Sequence, residues 1–291
     1  MKGIVIKQVG GIYTVRDIEE KKDYNVKPIG VFRRDNITLI AGDNVEFNET
    51  SITKLYPRKN TFIRPKISNV DYALLLMSTK DPNFDLFLLD RFILNILRGD
   101  VEPIIIISKC DLIDKEELDR IKSYMSYYEK NYHIFYSDKN GINNYPELEK
   151  LLENKIAVLS GQTGAGKSHL LNNISPILSL DTGEISKALG RGRHTTRETT
   201  LYEIDNMYIA DSPGFSSLTF FDIDKNNLKD YFIEFSEFSG QCKFNQCLHI
   251  REPECKVKEK VNEGVILKSR YDSYLKIYDE LKSAKPVYRR K

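Results

Sequence analysis

The chain has 291 residues, of which 41% are hydrophobic, and this length allows two or three domains with a sizeable core. Its net charge of +2 gives no general sign of a nucleic-acid partner, although basic clusters at 187–197 and 285–291 leave a local anionic contact open. No apolar stretch approaches the roughly 18–20 residues that span a bilayer, and the N-terminus lacks the features of a signal peptide. We therefore expect a cytoplasmic protein that does not contact the membrane.

Residues 1–62 are predicted to form a small β-barrel, because short apolar strands alternate there with turns. The stretch YPRKNTFIRPK at 56–66, which overlaps the end of that range, contains two prolines and is predicted to be a linker. The strand candidates of the barrel are GIVIKQ, IYTVRDI, NITLI and NVEFNE.

Residues 68–220 show apolar strands that alternate with amphipathic helices, the pattern of a mostly parallel sheet flanked by helices. One helical face runs from Leu89 to Leu97, and another helix begins behind a capping box of Asp114 and Glu117. The strand candidates are VDYALLLMS, PIIIIS, YHIFYS, KIAVLSG, LYEI and MYIAD.

The segment GQTGAGKS at 161–168 matches the phosphate-binding loop Gly-x4-Gly-Lys-Ser, between a predicted strand and a predicted helix. Its glycines let backbone N–H groups surround a phosphate, Lys167 would contact the β- and γ-phosphates, and Ser168 would bind Mg²⁺. A glycine-rich turn that matches by accident is the alternative. The predicted nucleotide-binding residues of this segment are Gly161, Gln162, Thr163, Gly164, Ala165, Gly166, Lys167, Ser168 and His169.

A second phosphate element is ADSPG at 210–214, where Asp211 would hold Mg²⁺ through water and Gly214 would donate its N–H to a γ-phosphate. The same four residues are also good turn formers. Between the two elements lies HTTR, in which a threonine can close over Mg²⁺ and the γ-phosphate when a nucleoside triphosphate is bound. Thr196 is the first choice and Thr195 the second.

The choice between ATP and GTP depends on SKCD at 108–111, which ends an apolar strand. The Asp111 carboxylate can accept from the two donor nitrogens of guanine, and Lys109 would lie along the base. A strand-end lysine followed by a helix-capping aspartate is the alternative. Ser137, at the end of the next strand, is predicted to orient a backbone N–H toward the guanine oxygen.

Three cysteines and a histidine lie close together in the C-terminal region, residues 221–291, which is predicted to be mostly helical. Three thiolates and one imidazole suit a tetrahedral, structural Zn²⁺ ion. Unpaired buried cysteines, or one disulfide and a spare cysteine, are the alternatives. The predicted ligands are Cys242, Cys247, His249 and Cys255.

The sequence order is base reader, base loop, phosphate loop, switch threonine and Asp-x-x-Gly, the order of a circularly permuted GTPase. Open α/β sheets bind ligands at the carboxyl ends of their strands, so a rotated order can build the same site. Together with the barrel and the cysteine cluster, this order resembles the bacterial ribosome small-subunit-dependent GTPase A family over essentially the whole chain. The stretches that carry the resemblance are VDYALLLMS, LLDRF, SKCD, SGQTGAGKS, GRGRHTTR and DSPGF.

The resemblance implies an OB-fold barrel, a permuted GTPase domain, a helical zinc-binding domain and a role in late maturation of the small (30S) ribosomal subunit. In that family the base reader usually begins with asparagine, so we expect the shorter Ser108 to brace the phosphate loop more weakly. Asp138 stands where alanine is usual. These departures put the affinity for guanine in question, but not the preference that Asp111 provides.

Hydrolysis needs a group that orients the attacking water, and Phe215 occupies the position after Asp-x-x-Gly where many GTPases have glutamine. His194, beside the switch threonines, is the nearest candidate in the sequence, and the resemblance supports it. A histidine that contacts RNA or solvent is the alternative. The predicted catalytic residues are His194, Lys167 and Thr196, and the predicted Mg²⁺ ligands are Ser168, Thr196 and Asp211.

These features predict a monomeric GTPase that binds the small ribosomal subunit and its 16S rRNA and hydrolyses GTP to GDP and phosphate when the subunit stimulates it. It would carry one structural Zn²⁺ ion, and Mg²⁺ with the nucleotide. In the barrel, Arg33, Arg34 and Tyr13 are possible RNA contacts. The competing interpretations are an ATP-dependent phosphate-loop enzyme and a non-enzymatic RNA-binding nucleotide switch.

Overall fold

A computed structural model describes residues 1–63, 66–174, 199–204, 206–210 and 223–283. It confirms the predicted fold class: a closed barrel precedes a central α/β sheet, and a helical region with the Cys/His cluster follows. The predicted boundary at 220 lies outside the described residues. Among the described helices, none combines the length and apolar character that crossing a membrane requires.

The barrel closes because alternate residues of its strands point inward, and Val5, Val15, Val26, Val45 and Ile52 form most of its core. Its described strands follow the order β1-β2-β3-β5-β4. They are β1 (Lys2–Val9), β2 (Ile12–Asp17), β3 (Asp23–Pro28), β4 (Asn44–Phe47) and β5 (Ser51–Leu55), with helix α1 (Gly30–Arg34) after β3.

Two sequence-based predictions for this region are wrong. The stretch 36–40, predicted to be a strand, is irregular, because its apolar residues Leu39 and Ile40 are buried by packing rather than by strand pairing. The predicted linker at 56–66 contains a strand, β6 (Thr61–Ile63), which pairs with β7 (Lys66–Ser68).

The start of the predicted linker and the strand that follows it are both bound to the barrel through Asp43, whose side chain is fully buried. Arg58 donates to both carboxylate oxygens, at 2.7 and 2.8 Å, and Ser68 Oγ donates to Oδ1 at 2.6 Å. The backbones meet closely at the same point, since a Cβ on Gly42 would lie 2.1 Å from Ser68 O. The barrel and the first strands of the central region therefore form one joint.

The central sheet has parallel inner strands, with antiparallel strands at both edges. The described strands follow the order β11-β10-β9-β8-β12-β14-β13, with bounds β8 (Tyr72–Ser78), β9 (Glu102–Ser108), β10 (His133–Asp138), β11 (Gly141–Ile142), β12 (Ile156–Gly161), β13 (Leu201–Ile204) and β14 (Met207–Ala210).

Helices cover both faces of this sheet, as the parallel strands require. Helices α2 (Leu86–Leu97) and α3 (Lys115–Tyr128) pack on one face, and α4 (Tyr145–Leu152) and α5 (Lys167–Ile174) pack on the other. The predicted N-cap of α3 is present, because Asp114 Oδ1 accepts from Glu117 N at 2.8 Å.

The C-terminal region packs around Phe232, Phe235 and Tyr274, whose rings lie 5.1–5.3 Å apart. Two short 3-10 turns, Leu228–Tyr231 and Ile233–Phe235, lead into its helices. These are α6 (Ser236–Ser239), α7 (Lys256–Asn262) and α8 (Lys268–Ser283).

Candidate nucleotide and metal sites

The predicted base reader and phosphate loop meet at one edge of the sheet. Strands β8, β9, β10 and β12 run parallel, so their carboxyl ends share that edge. Ser78 pairs with Ser108, and Leu76 pairs with Gly161. Segments more than 50 residues apart in sequence are thereby brought together, as the rotated motif order predicts.

The phosphate loop turns on glycines whose conformations a side chain would not tolerate. Gly161 has φ +119°, and a Cβ there would lie 2.2 Å from Leu76 O. Gly164 and Gly166 also have positive φ, at +84° and +93°. Lys167 Nζ, at the start of α5, donates to the carbonyl oxygens of Gly161 and Gln162 at 2.8 and 2.6 Å. The lysine therefore lies across the loop in which it is predicted to contact phosphates.

The remaining phosphate-loop residues differ in exposure. Thr163 is exposed, Ala165 is fully buried, and Gln162 is half-buried with its Oε1 atom unpartnered among the described residues. His169, in the first turn of α5, pairs through Nδ1 with Asn173 Nδ2 at 3.2 Å. Ser168 lies in the same turn, and its side chain is outside the described residues.

Ser108 connects the base reader to the phosphate loop directly. Its hydroxyl is buried and donates to Ala165 O at 2.7 Å, a normal length for an O–H···O hydrogen bond. The serine therefore reaches the loop although it is shorter than asparagine. Whether guanine affinity is reduced stays a prediction.

Lys109 adopts a left-handed conformation, φ +61°, at the turn that follows β9. Its Nζ donates to Lys80 O at 3.0 Å and to Asp81 O, and Thr79 Oγ1 donates back to Lys109 O at 2.7 Å. The segment Thr79–Pro82 in turn borders the phosphate loop, since a Cβ on Gly164 would lie 3.5 Å from Pro82 Cδ.

Sequence reasoning missed Thr79–Pro82, although a signal was available. The segment directly follows the buried strand β8, and the carboxyl ends of parallel strands are where α/β sheets place their binding residues. It contacts both the predicted base reader and the phosphate loop.

Asp111 lies in a 3-10 turn, Cys110–Leu112, with its side chain exposed beyond the strand end. Its carboxylate has no hydrogen bond with the described residues, which suits a group that reads a ligand. Ser137 is buried at the end of β10, and the neighbouring Asp138 Oδ1 accepts from Asn140 N at 2.7 Å to shape the following turn. The structure thus brings Asp111 and Ser137 to the same edge, while their roles stay predictions.

Several predicted site residues lie outside the described residues: His194, Thr195, Thr196, Asp211, Gly214 and Phe215. Both strands of the hairpin between the two segments that contain them are described. Leu201 of β13 pairs with Ala210 of β14, and β14 in turn lies beside β12, which leads into the phosphate loop.

The four predicted metal ligands form one compact cluster, whose ligand atoms all lie within 4.8 Å of one another. His249 Nδ1 lies 3.4 Å from Cys255 Sγ and 3.7 Å from Cys242 Sγ, and these two sulfurs are 4.0 Å apart. Ligands about 2.0–2.3 Å from one Zn²⁺ ion would be separated by roughly 3.5–3.8 Å. The residues therefore fit a tetrahedral zinc ion.

The other interpretations of the cysteines fit less well. All the cysteines are free, and a 4.0 Å separation is twice a disulfide bond length. Burial raises the pKa of Cys247 to about 12 and lowers the pKa of His249 to about 4. A bound cation would offset the cost of a buried thiolate, and the neutral imidazole is already in the form that binds metal.

Side chains outside the ligand set form hydrogen bonds with the backbone of the loop that carries these ligands, and so hold it in place. Tyr271 and Tyr274 on α8 donate their hydroxyls to His249 O and Leu248 O at 2.7 and 2.6 Å. Glu252 accepts from backbone N–H groups of the same loop. The contacts of these two tyrosines with the loop were not predicted from the sequence.

The possible RNA contacts of the barrel divide into two kinds. Arg33 and Arg34 are exposed at the end of α1. Tyr13 is only 6% exposed and belongs to the barrel core, so its prediction as a surface contact is wrong. Its position in β2 is one of the inward-facing ones, which the alternation of β2 determines.

Comparisons with known proteins cover nearly the whole chain. The sequence matches the family models of the RsgA N-terminal domain over residues 2–55 and of the RsgA GTPase over residues 55–221. It is 41% identical to the small ribosomal subunit biogenesis GTPase RsgA 2 of Oceanobacillus iheyensis, covering 99% of each chain. It is also 41% identical to the small ribosomal subunit biogenesis GTPase RsgA of Limosilactobacillus reuteri, again with 99% of each covered.

Solved structures give the same result. YjeQ from Thermotoga maritima superposes with a TM-score of 0.86 at 33% identity, covering 98% of this chain and 99% of that one. YloQ, described as a circularly permuted GTPase, superposes with a TM-score of 0.83 at 35% identity, covering 99% and 96%.

Proposed function

The chain belongs to the RsgA GTPase family, and we propose that it binds GTP with Mg²⁺ at the carboxyl edge of its central sheet. As a member of that family it is a GTP hydrolase. The proposal concerns where the nucleotide binds, which residues act on it, and which partner controls the reaction.

The observation that carries the proposal is the contact between Ser108 and the phosphate loop. Its 2.7 Å hydrogen bond to Ala165 O holds the base reader and the phosphate loop at a fixed separation. The exposed Asp111 carboxylate, just beyond, would accept from the N1 and N2 groups of guanine. A base at Asp111 and phosphates at 161–168 then belong to one nucleotide.

At the phosphates, binding would exchange one set of partners for another. Lys167 would leave the carbonyls of Gly161 and Gln162 for the β- and γ-phosphates. The backbone N–H groups of the glycine loop and the N-terminus of α5 would supply further positive potential. Mg²⁺, held by Ser168, Thr196 and Asp211, would neutralise charge between the β- and γ-phosphates.

For hydrolysis we propose that His194 orients the attacking water, since Phe215 has no group to do so. Thr196, with Thr195 as the second choice, would close over the γ-phosphate, and Gly214 would donate its N–H to it. Without a partner that orders these groups, the reaction should be slow.

The partner proposed is the small ribosomal subunit, because the relatives that match along their whole length are named for its biogenesis. The protein would act late in subunit maturation, as a cytoplasmic monomer, and would be stimulated by the subunit. Arg33 and Arg34 on the barrel, and Arg251 beside the metal cluster, are exposed cations suited to 16S rRNA phosphates.

In the C-terminal region we propose one structural Zn²⁺ ion, bound by Cys242, Cys247, His249 and Cys255. With four protein ligands, the ion has no open position for chemistry. It would stabilise the loop that Tyr271 and Tyr274 hold against α8.

The test of the nucleotide assignment is a competition experiment with purified protein and Mg²⁺. Displacement of a fluorescent GDP analogue by GTP but not by ATP, together with multiple turnovers of GTP, is the expected result. Equal displacement by ATP would contradict the role of Asp111. Binding without turnover would contradict the hydrolytic mechanism and favour a nucleotide switch.

A further inference from the structure

A buried charged cluster joins the C-terminal helix to the GTPase sheet. We call Asp90, Tyr128, Glu234 and Arg270 the Arg270 cluster. Arg270 is 1% exposed; its Nη1 donates to Asp90 Oδ1 at 2.7 Å and its Nε donates to Glu234 Oε1 at 2.6 Å. Tyr128 donates its hydroxyl to the same Asp90 oxygen at 2.7 Å.

The cluster tolerates little displacement. Charges removed from water are costly unless they are paired, and Asp90 is fully buried. Asp90 Oδ2 and Glu234 Oε2 have no hydrogen-bond partner among the described residues, and the positive charge that pairs with each carboxylate comes from Arg270. The guanidinium also stacks 4.3 Å from the Phe232 ring centroid, which restricts its position further.

Both central helices that meet in this cluster begin at the predicted nucleotide site. Helix α2 starts at Leu86, just after the Thr79–Pro82 segment that contacts Lys109 and borders Gly164. Helix α3 starts at Lys115, shortly after Asp111. Asp90 lies in the second turn of α2, and Tyr128 is the last residue of α3.

We propose that Arg270 is a positioning residue for the guanine-binding site. By binding Asp90, and Tyr128 through it, Arg270 fixes α2 and α3 relative to each other. The two helices then fix the loops at their N-termini, which hold the base reader against the phosphate loop. The C-terminal region thereby contributes to nucleotide affinity although none of its described residues belongs to the nucleotide site. This inference rests on the proposed function.

A nearby ion pair provides a matched control. Arg91 Nη1 donates to Glu280 at 2.7 Å, so this pair joins α2 to α8 as the Arg270–Asp90 pair does. The Glu280 side chain, however, is 45% exposed. An exposed pair contributes little and constrains little. Glu280→Gln should therefore leave nucleotide binding unchanged.

The experiment measures GDP affinity by titration of a fluorescent analogue, with circular dichroism to verify folding. The variants are Arg270→Met, Arg270→Lys, Asp90→Asn and the neutral triple variant Asp90→Asn/Glu234→Gln/Arg270→Met, which leaves no unpaired charge behind. We expect Arg270→Met and the triple variant to bind GDP at least about fivefold more weakly, the lower limit of a typical coupling between sites. Arg270→Lys, which keeps the charge, should recover part of the loss.

If Arg270 only stabilised the fold, variants that still fold would bind GDP nearly as well as the parent. If the folded triple variant binds GDP less than about fivefold more weakly than the parent, the positioning role is wrong. The triple variant decides the matter even if Arg270→Met does not fold. A parent protein that fails to bind GDP would contradict the proposed function itself, which separates the two failures.

Discussion

Ser108 acts on the predicted nucleotide site through a single hydroxyl group. Its hydrogen bond to Ala165 O is the direct contact between base reader and phosphate loop, and both residues are buried. A buried carbonyl that loses its donor has no water to replace it. The local geometry of the phosphate loop should therefore depend on this one side chain.

We expect Ser108→Ala to lower the free energy of unfolding by about 1–3 kcal/mol and to weaken GDP binding. Denaturant unfolding and titration with a fluorescent GDP analogue measure the two effects. Ser126→Ala is the control, because the exposed Ser126 hydroxyl makes a similar bond to Ser123 O at 2.8 Å on the outer face of α3. Equal losses in both variants would show that the phosphate-loop contact has no special role.

Asp111→Asn should change which base the protein prefers. An amide can donate where the carboxylate could only accept, which disfavours guanine and favours xanthine, whose 2-position carries an acceptor. We expect hydrolysis of GTP to fall at least about tenfold, a difference of about 1.4 kcal/mol, while xanthosine triphosphate becomes a substrate. Asp119→Asn, on the exposed side of α3, should behave as the parent. An unchanged GTP preference in Asp111→Asn would contradict the role of Asp111 in recognising guanine.

At the scale of elements, the sequence predicts the strands and helices in which burial gives a regular pattern of apolar residues. The continuous apolar run of β9 is present as predicted, and of the predicted capping box of α3 the N-cap bond from Glu117 N to Asp114 is present. Strand β3 was missed because only Val26 in it is buried, so the stretch has no apolar alternation. The stretch 36–40 was assigned wrongly because packing, not pairing, explains its apolar residues.

The candidate site divides in the same way: residues in a local sequence pattern were predicted, and residues outside one were not. Motifs that each end one strand, such as SKCD and GQTGAGKS, were predicted because local pattern and strand position agree. The Arg270 cluster was not predicted, because its bond to Asp90 spans 180 residues and the LLDRF stretch that contains Asp90 does not indicate its distant partner. Long-range polar contacts leave no local periodicity in a sequence.

The joint between the barrel and the central region gives a stability prediction. Arg58→Met would leave the fully buried Asp43 carboxylate without its guanidinium partner, and we expect a loss on the order of 3 kcal/mol in the free energy of unfolding. Thermal unfolding measures it. Lys54→Met is the control, since it breaks an exposed pair with Glu46 on the same barrel and a contact with the Tyr56 ring, and leaves no fully buried charge without a partner. A loss no greater than that of the control would show that the joint is not constrained by Asp43.

Removal of metal should affect the C-terminal region first. A strong chelator should lower its melting temperature, because the four ligands, three of them buried, would then have no cation to share. Metal analysis should find about one Zn²⁺ ion per chain, and Cys255→Ser should lose it. Cys110→Ser, which changes the cysteine outside the cluster, should keep the metal. Equal metal content in the two variants would contradict the assigned ligand set.

At the scale of the whole molecule, polar contacts join both outer regions to the central sheet. Arg16 on the barrel binds Glu203 of β13 at 2.7 Å, at the hairpin between the two predicted switch segments. In the C-terminal region, Arg270 of α8 binds Asp90 of α2. We therefore expect contacts made by the barrel or the C-terminal region to influence the nucleotide site.

The measurement that tests the central claim most directly is the rate of GTP hydrolysis by purified protein alone, with small ribosomal subunits and with large ones. We predict selective stimulation by the small subunit, and loss of that stimulation in His194→Ala with GDP affinity retained. If neither subunit changes the rate and ATP is hydrolysed equally well, the protein is not a guanine-specific GTPase controlled by the small subunit.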